Sequence, residues 1–373
     1  MKQYYEKILV VGGGIGGLAA GIALRQAGCE VDLIELHDAW ATAGVGIIQP
    51  SNALRALDAL GVAQACLDSG YPYDRYKWFN AEGQFLFDAY GPIVANHLPA
   101  YNGLSRPKLQ EILVERALAI GVKIQMGVTI AALNDTGDDV QVTLSNGRAL
   151  VYSAVVGADG IYSKLRGHLF GDTVPQYTGQ SAWRMAMPRP DDVRWGAMVV
   201  GAQAKAGLIP LSKSDMYLLL VTQEDPSVFL PVDQLDQILR DRLAGFGGLI
   251  KELAALIVDP AQVVYRPMQI VMLPEPWHSG RIVLIGDAAH ASTPHLGQGA
   301  AMAIEDAVVL GELIGQQLPW EDVTEQYMKR RFSRAMHIQN ASFEVGEYEQ
   351  GRRPNLNVVS VIDEAKAAAA AAI

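Results

Sequence analysis

KILVVGGGIGGLAAGIALRQAGCEVDLIE, residues 7–35, is the stretch on which the fold turns. Residues 7–12 form a short apolar run of the buried-strand kind, 15–28 a helix stopped at Gly28, and 30–35 a second strand, which together make a βαβ unit. Gly12, Gly14 and Gly17 stand between the first strand and the helix in the spacing G-x-G-x-x-G. Gly12 permits the tight turn, Gly14 lets the backbone approach a pyrophosphate, and Gly17 lets the helix pack against the strand. The helix start offers free N–H groups and a positive dipole end to a phosphate. Glu35 closes the second strand 18 residues after Gly17, where a carboxylate accepts from the hydroxyls of an adenosine ribose. The same acid repels a 2′-phosphate and so disfavours NADP at this turn. FAD and NAD carry the same adenosine diphosphate, and the turn does not separate them.

Working outward, residues 52–69 read as helix and Arg75 to Asp88 as alternating strands. An amphipathic helix fits 106–120, stopped by Gly121. Strands follow at 122–133 and 138–144, with Asn146-Gly147 as a hairpin turn. Residues 151–160, VYSAVVGADG, are a strand ending in Asp-Gly, with a helix from about Ser163. From 176 to 231 the texture changes to alternating runs of a mostly antiparallel sheet, followed by short helices over 232–256. The α/β pattern returns at 281 and runs into long helices. The expected architecture is therefore α/β: a discontinuous Rossmann-like domain (1–74, 100–175 and 276–325), an inserted, mostly antiparallel substrate-binding sheet (75–99 and 176–275), and a C-terminal helical segment (326–373).

The bulk properties narrow the function. The chain has 373 residues, long enough for two domains. Half the residues are hydrophobic and 19% charged, the balance of a folded protein. A net charge of −10 with no basic face excludes nucleic acid as the expected partner. Cys29 and Cys66 make neither a disulfide framework nor a metal-ligand set, so no metal is expected and a reducing compartment fits. The N-terminus lacks the pattern of a secretion signal, and no apolar run approaches the roughly 20 residues of a membrane span. These features give a cytoplasmic expectation, with no membrane partner. The tail EAKAAAAAAI is helical by propensity, carries no recognisable chemistry, and is set aside from the functional reading.

Two further motifs follow strands: Asp159-Gly160-x-x-Ser163-x-x-Arg166, and Gly286-Asp287 followed by Pro294-x-x-Gly297-Gln298-Gly299. Taken singly, each acid is also an ordinary turn or helix-cap residue. With the N-terminal turn they come in an order that resembles the FAD-dependent aromatic hydroxylases, the single-component flavoprotein monooxygenases of the p-hydroxybenzoate and salicylate hydroxylase type. The resemblance covers about residues 5–345.

The resemblance implies FAD as cofactor, with Gly12, Gly14, Gly17, Glu35, Arg106, Asp159, Asp287, Gly297, Gln298 and Gly299 around it. It puts Asp159 between FAD and the nicotinamide, and Asp287 on the ribityl hydroxyls, where charge-assisted bonds form. Gly297 and Gly299 leave room for the flat ring, and the helix beginning near Gln298 aims its positive end at the flavin N1/C2 edge. Pro294 stiffens the loop beside the oxygen site, and Ala300, Ala301 and Ala303 allow close helix packing. The implied reaction uses NADH or NADPH and O2 to hydroxylate an aromatic or heteroaromatic small molecule through a flavin C4a-hydroperoxide, inside a cavity that excludes water.

Trp183, Arg184, Met185, Met198, Leu208, Pro210 and Tyr217 are the candidate pocket lining. Tyr217 stands either at substrate or in the core; Arg184 either grips an oxyanion bidentately or serves a structural ion pair. His290 and His295 read as scaffold or as bases. Ile48 occupies a place where some relatives carry a polar group, and Pro50 stands two residues before Asn52 rather than adjacent, so base assistance from that segment is not expected. No WxWxIP halogenase motif is present, and the additional C-terminal domain of the larger phenol hydroxylases is not expected. The alternatives are a flavin-dependent epoxidase or oxidative decarboxylase of a polycyclic or non-aromatic substrate, and a non-catalytic FAD-binding protein. Monomer and homodimer both remain open.

Overall fold

Strands buried on both faces lose the alternation of a surface strand, and the first strand, Lys7–Val11, is buried at four of its five positions. A computed structural model describes residues 5–40, 44–171, 173–225, 227 and 229–373. In it this strand lies inside a six-stranded sheet of order His278–Ser279, Ile282–Leu284, Ala154–Gly157, Lys7–Val11, Glu30–Ile34, Lys123–Gln125. Every pairing is parallel except that of the short His278–Ser279 edge. Helices Ile15–Gln26 and Gly299–Gly315 pack closely because their contact is made of small residues. A Cβ on Gly311 would stand 2.7 Å from the Ala23 Cβ, and one on Gly16 would stand 3.3 Å from that of Ala303.

The second sheet has seven strands in the order Val264–Ile270, Gln176–Pro188, Asp215–Gln223, Ala204–Pro210, Gly196–Val200, Arg75–Asn80, Phe85–Tyr90. Only Gly196–Val200 and Arg75–Asn80 pair in parallel. Period-two patterning divides its faces. Trp183, Met185, Met216, Leu218 and Leu220 pack under helices Leu235–Leu243 and Gly248–Ala254. Ala182, Tyr217, Leu219 and Val221 face the other way and meet Tyr73 and Tyr101. Those two tyrosines lie on a small sheet, Gly46–Pro50, Tyr101–Ser105 and Tyr71–Tyr73, interposed between the larger ones. A second small sheet, Ile130–Asp135, Val140–Leu144 and Ala149–Tyr152, is an antiparallel meander.

Four expectations are corrected. The helix expected over 52–69 is two, Ser51–Ala59 and Ala63–Ser69, separated where Gly61 takes φ 76°. The strand expected over 122–133 splits at Gly127, φ 70°, into Lys123–Gln125 of the parallel sheet and Ile130–Asp135 of the meander. The boundary expected at 326 falls inside a continuous helix, Trp320–Glu349. The alanine-rich tail is an integral helix, Val358–Ala370, with Ala365 and Ala369 buried. No helix among the described residues is long and apolar enough to cross a membrane.

Candidate functional site

The parallel strands Ile282–Leu284, Ala154–Gly157, Lys7–Val11 and Glu30–Ile34 are neighbours, so their carboxyl ends share one edge of the sheet. Gly286-Asp287, Asp159, the glycine turn and Glu35 all follow those ends, which is where ligands bind in open α/β sheets. The three glycines act as their spacing requires. Gly12 has φ 106°, and a Cβ there would lie 2.3 Å from the Ala158 carbonyl oxygen. A Cβ on Gly17 would lie 1.9 Å from the Gly12 oxygen, whereas one on Gly14 would meet nothing within 4 Å. Helix Ile15–Gln26 begins at Gly14 without a side-chain cap, which leaves its first N–H groups without a side-chain acceptor. Glu35 is fixed beside this turn, accepting from the Gly13 N–H at 2.7 Å and the His37 N–H at 3.0 Å.

Asp159 takes a different part. Its Oδ1 accepts from the Ser163 hydroxyl at 2.5 Å and its Oδ2 from the Lys164 and Leu165 N–H groups at 2.9 and 3.1 Å. Both oxygens are thus engaged in starting the helix Lys164–Phe170. Arg166 on that helix is buried and donates to the carbonyl of Ala288 at 3.0 Å and of Ile161 at 2.7 Å. The second motif therefore braces the third, since Ala288 adjoins Asp287. Among the described residues the Asp287 carboxylate has no hydrogen-bond partner. Water reaches it although protein surrounds it, the condition of a cleft wall. Desolvation raises its pKa, and the charges of His290 and Arg106 oppose that rise.

Beyond Asp287 the chain makes a short turn at Pro294–Leu296, passes Gly297 at φ 65°, and enters helix Gly299–Gly315 with no side-chain cap. What holds this loop is a buried polar network of which Gln298 alone belongs to the expected cofactor site. Asn52 Nδ2 donates to Gln298 Oε1 at 3.0 Å and to Glu305 Oε1 at 3.1 Å. Arg331 donates to Asp306 Oδ1 at 2.7 Å and to Glu305 Oε2 at 2.8 Å. Asp306 Oδ2 accepts from the Gly286 N–H at 2.9 Å and sits 2.7 Å from His290 Nε2. Burial works against ionisation of Asp306, but His290, Arg331 and the Gly286 N–H together hold its carboxyl at about 2. His290 is accordingly a scaffold residue, with its ring against Trp277. His295 is likewise held, its Nδ1 2.9 Å from the Thr293 hydroxyl and its Nε2 3.3 Å from Glu349. Burial lowers the His295 pKa.

Across the cleft, Arg184 is paired with Leu219 in the sheet register and so shares the face of Tyr217. Trp183 and Met185 point the opposite way, into the helix-covered core. Met198 pairs with Gly207, which pairs with Leu219, and so shares the face of Tyr217, whereas Leu208 lies in the same helix-covered core as Trp183, and Pro210 belongs to the strand beside Tyr217. Among the described residues Arg184 has no hydrogen bond and no carboxylate partner. Burial lowers its pKa, and the charge of Tyr217 opposes this while those of Arg106 and Arg266 add to it. Arg106 thus acts on both Asp287 and Arg184, linking the loop that follows Ile282–Leu284 to the seven-stranded sheet. Tyr217 is buried against Gly46, whose Cβ would stand 2.4 Å from its ring. Burial, partly offset by Arg184, pushes the Tyr217 hydroxyl up to about 12. Ile48, on the same strand as Gly46, is the nearest neighbour in the direction of a Gly297 Cβ, at 3.8 Å.

A dinucleotide-flavin fits these residues on two counts: the open space at Gly14 before an uncapped helix, and the unpartnered Asp287 carboxylate. Residues 5–342 match the family model described as FAD binding domain, and the chain belongs to that family. Within it the chain is a FAD-dependent monooxygenase of the aromatic hydroxylase type. It is 35% identical to YetM of Bacillus subtilis (strain 168), a protein grouped by name with the FAD-dependent monooxygenases, over 91% of this chain and 93% of YetM. It is 32% identical to the 2-heptyl-3-hydroxy-4(1H)-quinolone synthase of Pseudomonas aeruginosa, over 93% of this chain and 90% of that one. The fold matches that of Klebsiella pneumoniae HpxO complexed with FAD and uric acid, at a TM-score of 0.87 and 23% identity, over 99% of this chain and 97% of that one.

Proposed function

We propose that this monooxygenase hydroxylates an aromatic or heteroaromatic ring that already bears an ionisable oxygen, with NADH or NADPH as the electron donor. The balance is one oxygen atom of O2 into the ring and the other into water, with two electrons and a proton from the nicotinamide and one proton from solvent. The observation that carries the reading is Arg184, a half-buried guanidinium without an anionic partner among the described residues, on the sheet face it shares with Tyr217. A permanent cation in such a place is costly unless a ligand supplies the counter-charge. A planar oxyanion fits its fork of donors. The apolar surround of Ile209, Leu219, Met268 and Ile48 suits the flat remainder of the ring, and the relative named as a quinolone synthase carries such a ring in its name.

Bound FAD supplies hydride acceptance and oxygen activation. In this reading Asp287 holds ribityl hydroxyls, the Gly12–Gly14 turn and helix Ile15–Gln26 hold the pyrophosphate, and Glu35 accepts from the adenosine ribose. Arg106 stands between flavin and substrate, and Pro294 with Gly297, Gln298 and Gly299 shapes the loop under the ring. Tyr217 is protonated at neutral pH and donates to the substrate oxygen, while Arg184 holds that oxygen as an anion and so keeps the ring electron-rich. The partner is then a small-molecule anion together with O2.

The test is a panel of hydroxybenzoates, hydroxypyridines and hydroxyquinolones against wild type and Arg184→Met, following NADH and NADPH consumption and product mass. Hydrogen bonds to a charged group contribute about 1.5–3 kcal/mol, so Arg184→Met should weaken binding of the preferred substrate about ten- to a hundredfold. Equal affinity of the two proteins for that substrate would overturn the role of Arg184.

A further inference from the structure

The alanine-rich helix Val358–Ala370 ends in an unusual set of contacts. The last carbonyls of a helix have no partner within it. Here two arginines from other elements take them. Arg55 of helix Ser51–Ala59 donates to the Ala370 and Ala371 carbonyls at 3.2 and 2.7 Å. Arg334 of helix Trp320–Glu349 donates to those of Ala368 and Ala369, both at 2.6 Å, and to that of Ala371 at 3.1 Å. Cations at a helix C-terminus are also favoured by the dipole.

The same two guanidiniums meet one carboxylate of the flavin-loop helix. Arg334 donates to Glu305 Oε2 at 3.0 Å and to Oε1 at 2.7 Å, and Arg55 lies 3.7 Å from Oε1. Glu305 is fully buried. Its Oε1 accepts from Asn52, which shares two hydrogen bonds with Gln298 at the start of that helix. A continuous run of hydrogen bonds thus leads from carbonyls 368–371, through Arg334, Glu305 and Asn52, to the loop residue beside Gly297 and Gly299. Alanine side chains bury little area each, so the polar contacts carry an outsized share of what attaches this helix.

We infer that the C-terminal helix is a clamp on the flavin loop, with Arg334 and Arg55 as the positioning residues that transmit it. Its carbonyls hold the two guanidiniums in the geometry that fixes Glu305, and Glu305 fixes Asn52 and Gln298. The inference rests on the FAD site and not on which ring is hydroxylated.

The test uses wild type and three principal variants: the chain truncated after Asn357, full-length Ala369→Arg, which forces the helix end off its seat, and full-length Arg334→Met; Arg334→Lys and the double variant of Ala369→Arg with Arg334→Met complete the set. Two readouts are taken. One is backbone hydrogen exchange of residues 294–299 in the FAD-free protein; the other is the FAD dissociation constant by titration, with the visible flavin band shape. Expected are exchange at least tenfold faster in that loop and an FAD affinity about tenfold weaker in all three variants, with Arg334→Lys lying between wild type and Arg334→Met. Adding Ala369→Arg to Arg334→Met should change little further. The inference is overturned if loop exchange and FAD affinity stay within twofold of wild type, or if Ala369→Arg acts as strongly in the Arg334→Met background as alone. Should the truncated chain not fold, the two full-length substitutions decide the matter.

Discussion

Arg331→Met tests whether the buried charges behind the flavin loop behave as one unit. Arg331 is fully buried and bridges Asp306 at 2.7 Å and Glu305 at 2.8 Å, with a further bond to the Met302 carbonyl at 3.2 Å. Methionine approximates its stem in volume but removes the cation, leaving two carboxylates in the interior with Arg334, Asn52, His290 and the Gly286 N–H as their remaining partners. Breaking a buried pair from one side costs about 3–5 kcal/mol, because a charge is left uncompensated. Against a total stability of about 5–15 kcal/mol, that is a large fraction, and at about 2–4 °C per kcal/mol it lowers Tm by roughly 6–20 °C. Trp277, whose ring centroid lies 4.8 Å from that of His290, reports the local packing by fluorescence during denaturant unfolding of the FAD-free protein. The second half of the test adds Asp306→Asn. The amide still accepts from the Gly286 N–H but no longer requires a counter-charge, so the double variant should be more stable than the sum of the single effects by about 1–3 kcal/mol. A loss below about 1 kcal/mol for Arg331→Met, or additivity within about 0.5 kcal/mol, would refute the reasoning.

Gly14→Ala and Gly17→Ala should separate cofactor binding from folding. Gly14 has φ −72° and open space ahead of it, so the alanine variant should fold with wild-type stability yet lose FAD affinity at least tenfold by titration. Gly17→Ala drives a methyl into the Gly12 carbonyl and should lower the unfolding free energy of the FAD-free protein by about 1–3 kcal/mol or more. Tyr217→Phe removes a donor that stays protonated up to about pH 12. It should slow substrate-stimulated NAD(P)H oxidation about tenfold while FAD affinity is unchanged, and an unchanged rate would remove Tyr217 from the site. Acid stability should fall in a defined window. Glu349 and Asp306 are both held at about 2, Glu349 by Lys205 and His295 against its burial. Groups depressed in the folded state contribute stability above their ordinary values of 4.5 and 3.8, and that contribution disappears as pH falls toward 2. The unfolding midpoint measured from pH 5 to 2 should drop steeply, and Glu349→Gln should flatten the curve.

The parts of the fold and site that could be read from the sequence are those encoded within one short segment. The Gly12, Gly14, Gly17 spacing lies within six residues, and each glycine answers to a local steric demand. Period-two alternation likewise marked the seven-stranded sheet. What escaped was made by residues far apart in the chain. Glu305 and Asp306 could be seen as acids on a small-residue helix, but their partners Asn52, Arg331 and Arg334 lie on two other helices, and the helical pattern of each is that of an ordinary charged helix. Asp159, which the resemblance places beside FAD, also starts the helix Lys164–Phe170 with both carboxylate oxygens, a second role that the motif alone does not display. The alanine tail showed only propensity, because its carbonyls, not its side chains, make the contacts that matter. Gly127 and Gly61 interrupted elements that looked continuous since a single glycine within an apolar run gives no sign of its φ.

The central strand order has a consequence for how this protein is made. Ala154–Gly157 takes Lys7–Val11 on one side and Ile282–Leu284 on the other, so the half-sheet that leaves the ribosome first waits with a bare apolar edge until the last third of the chain is translated. At synthesis rates of about 5–20 residues per second, that interval lasts roughly 6–25 s. During it the nascent protein has the glycine turn but neither Asp287 nor the loop after it, and a cell that loads flavin during translation would find half a socket.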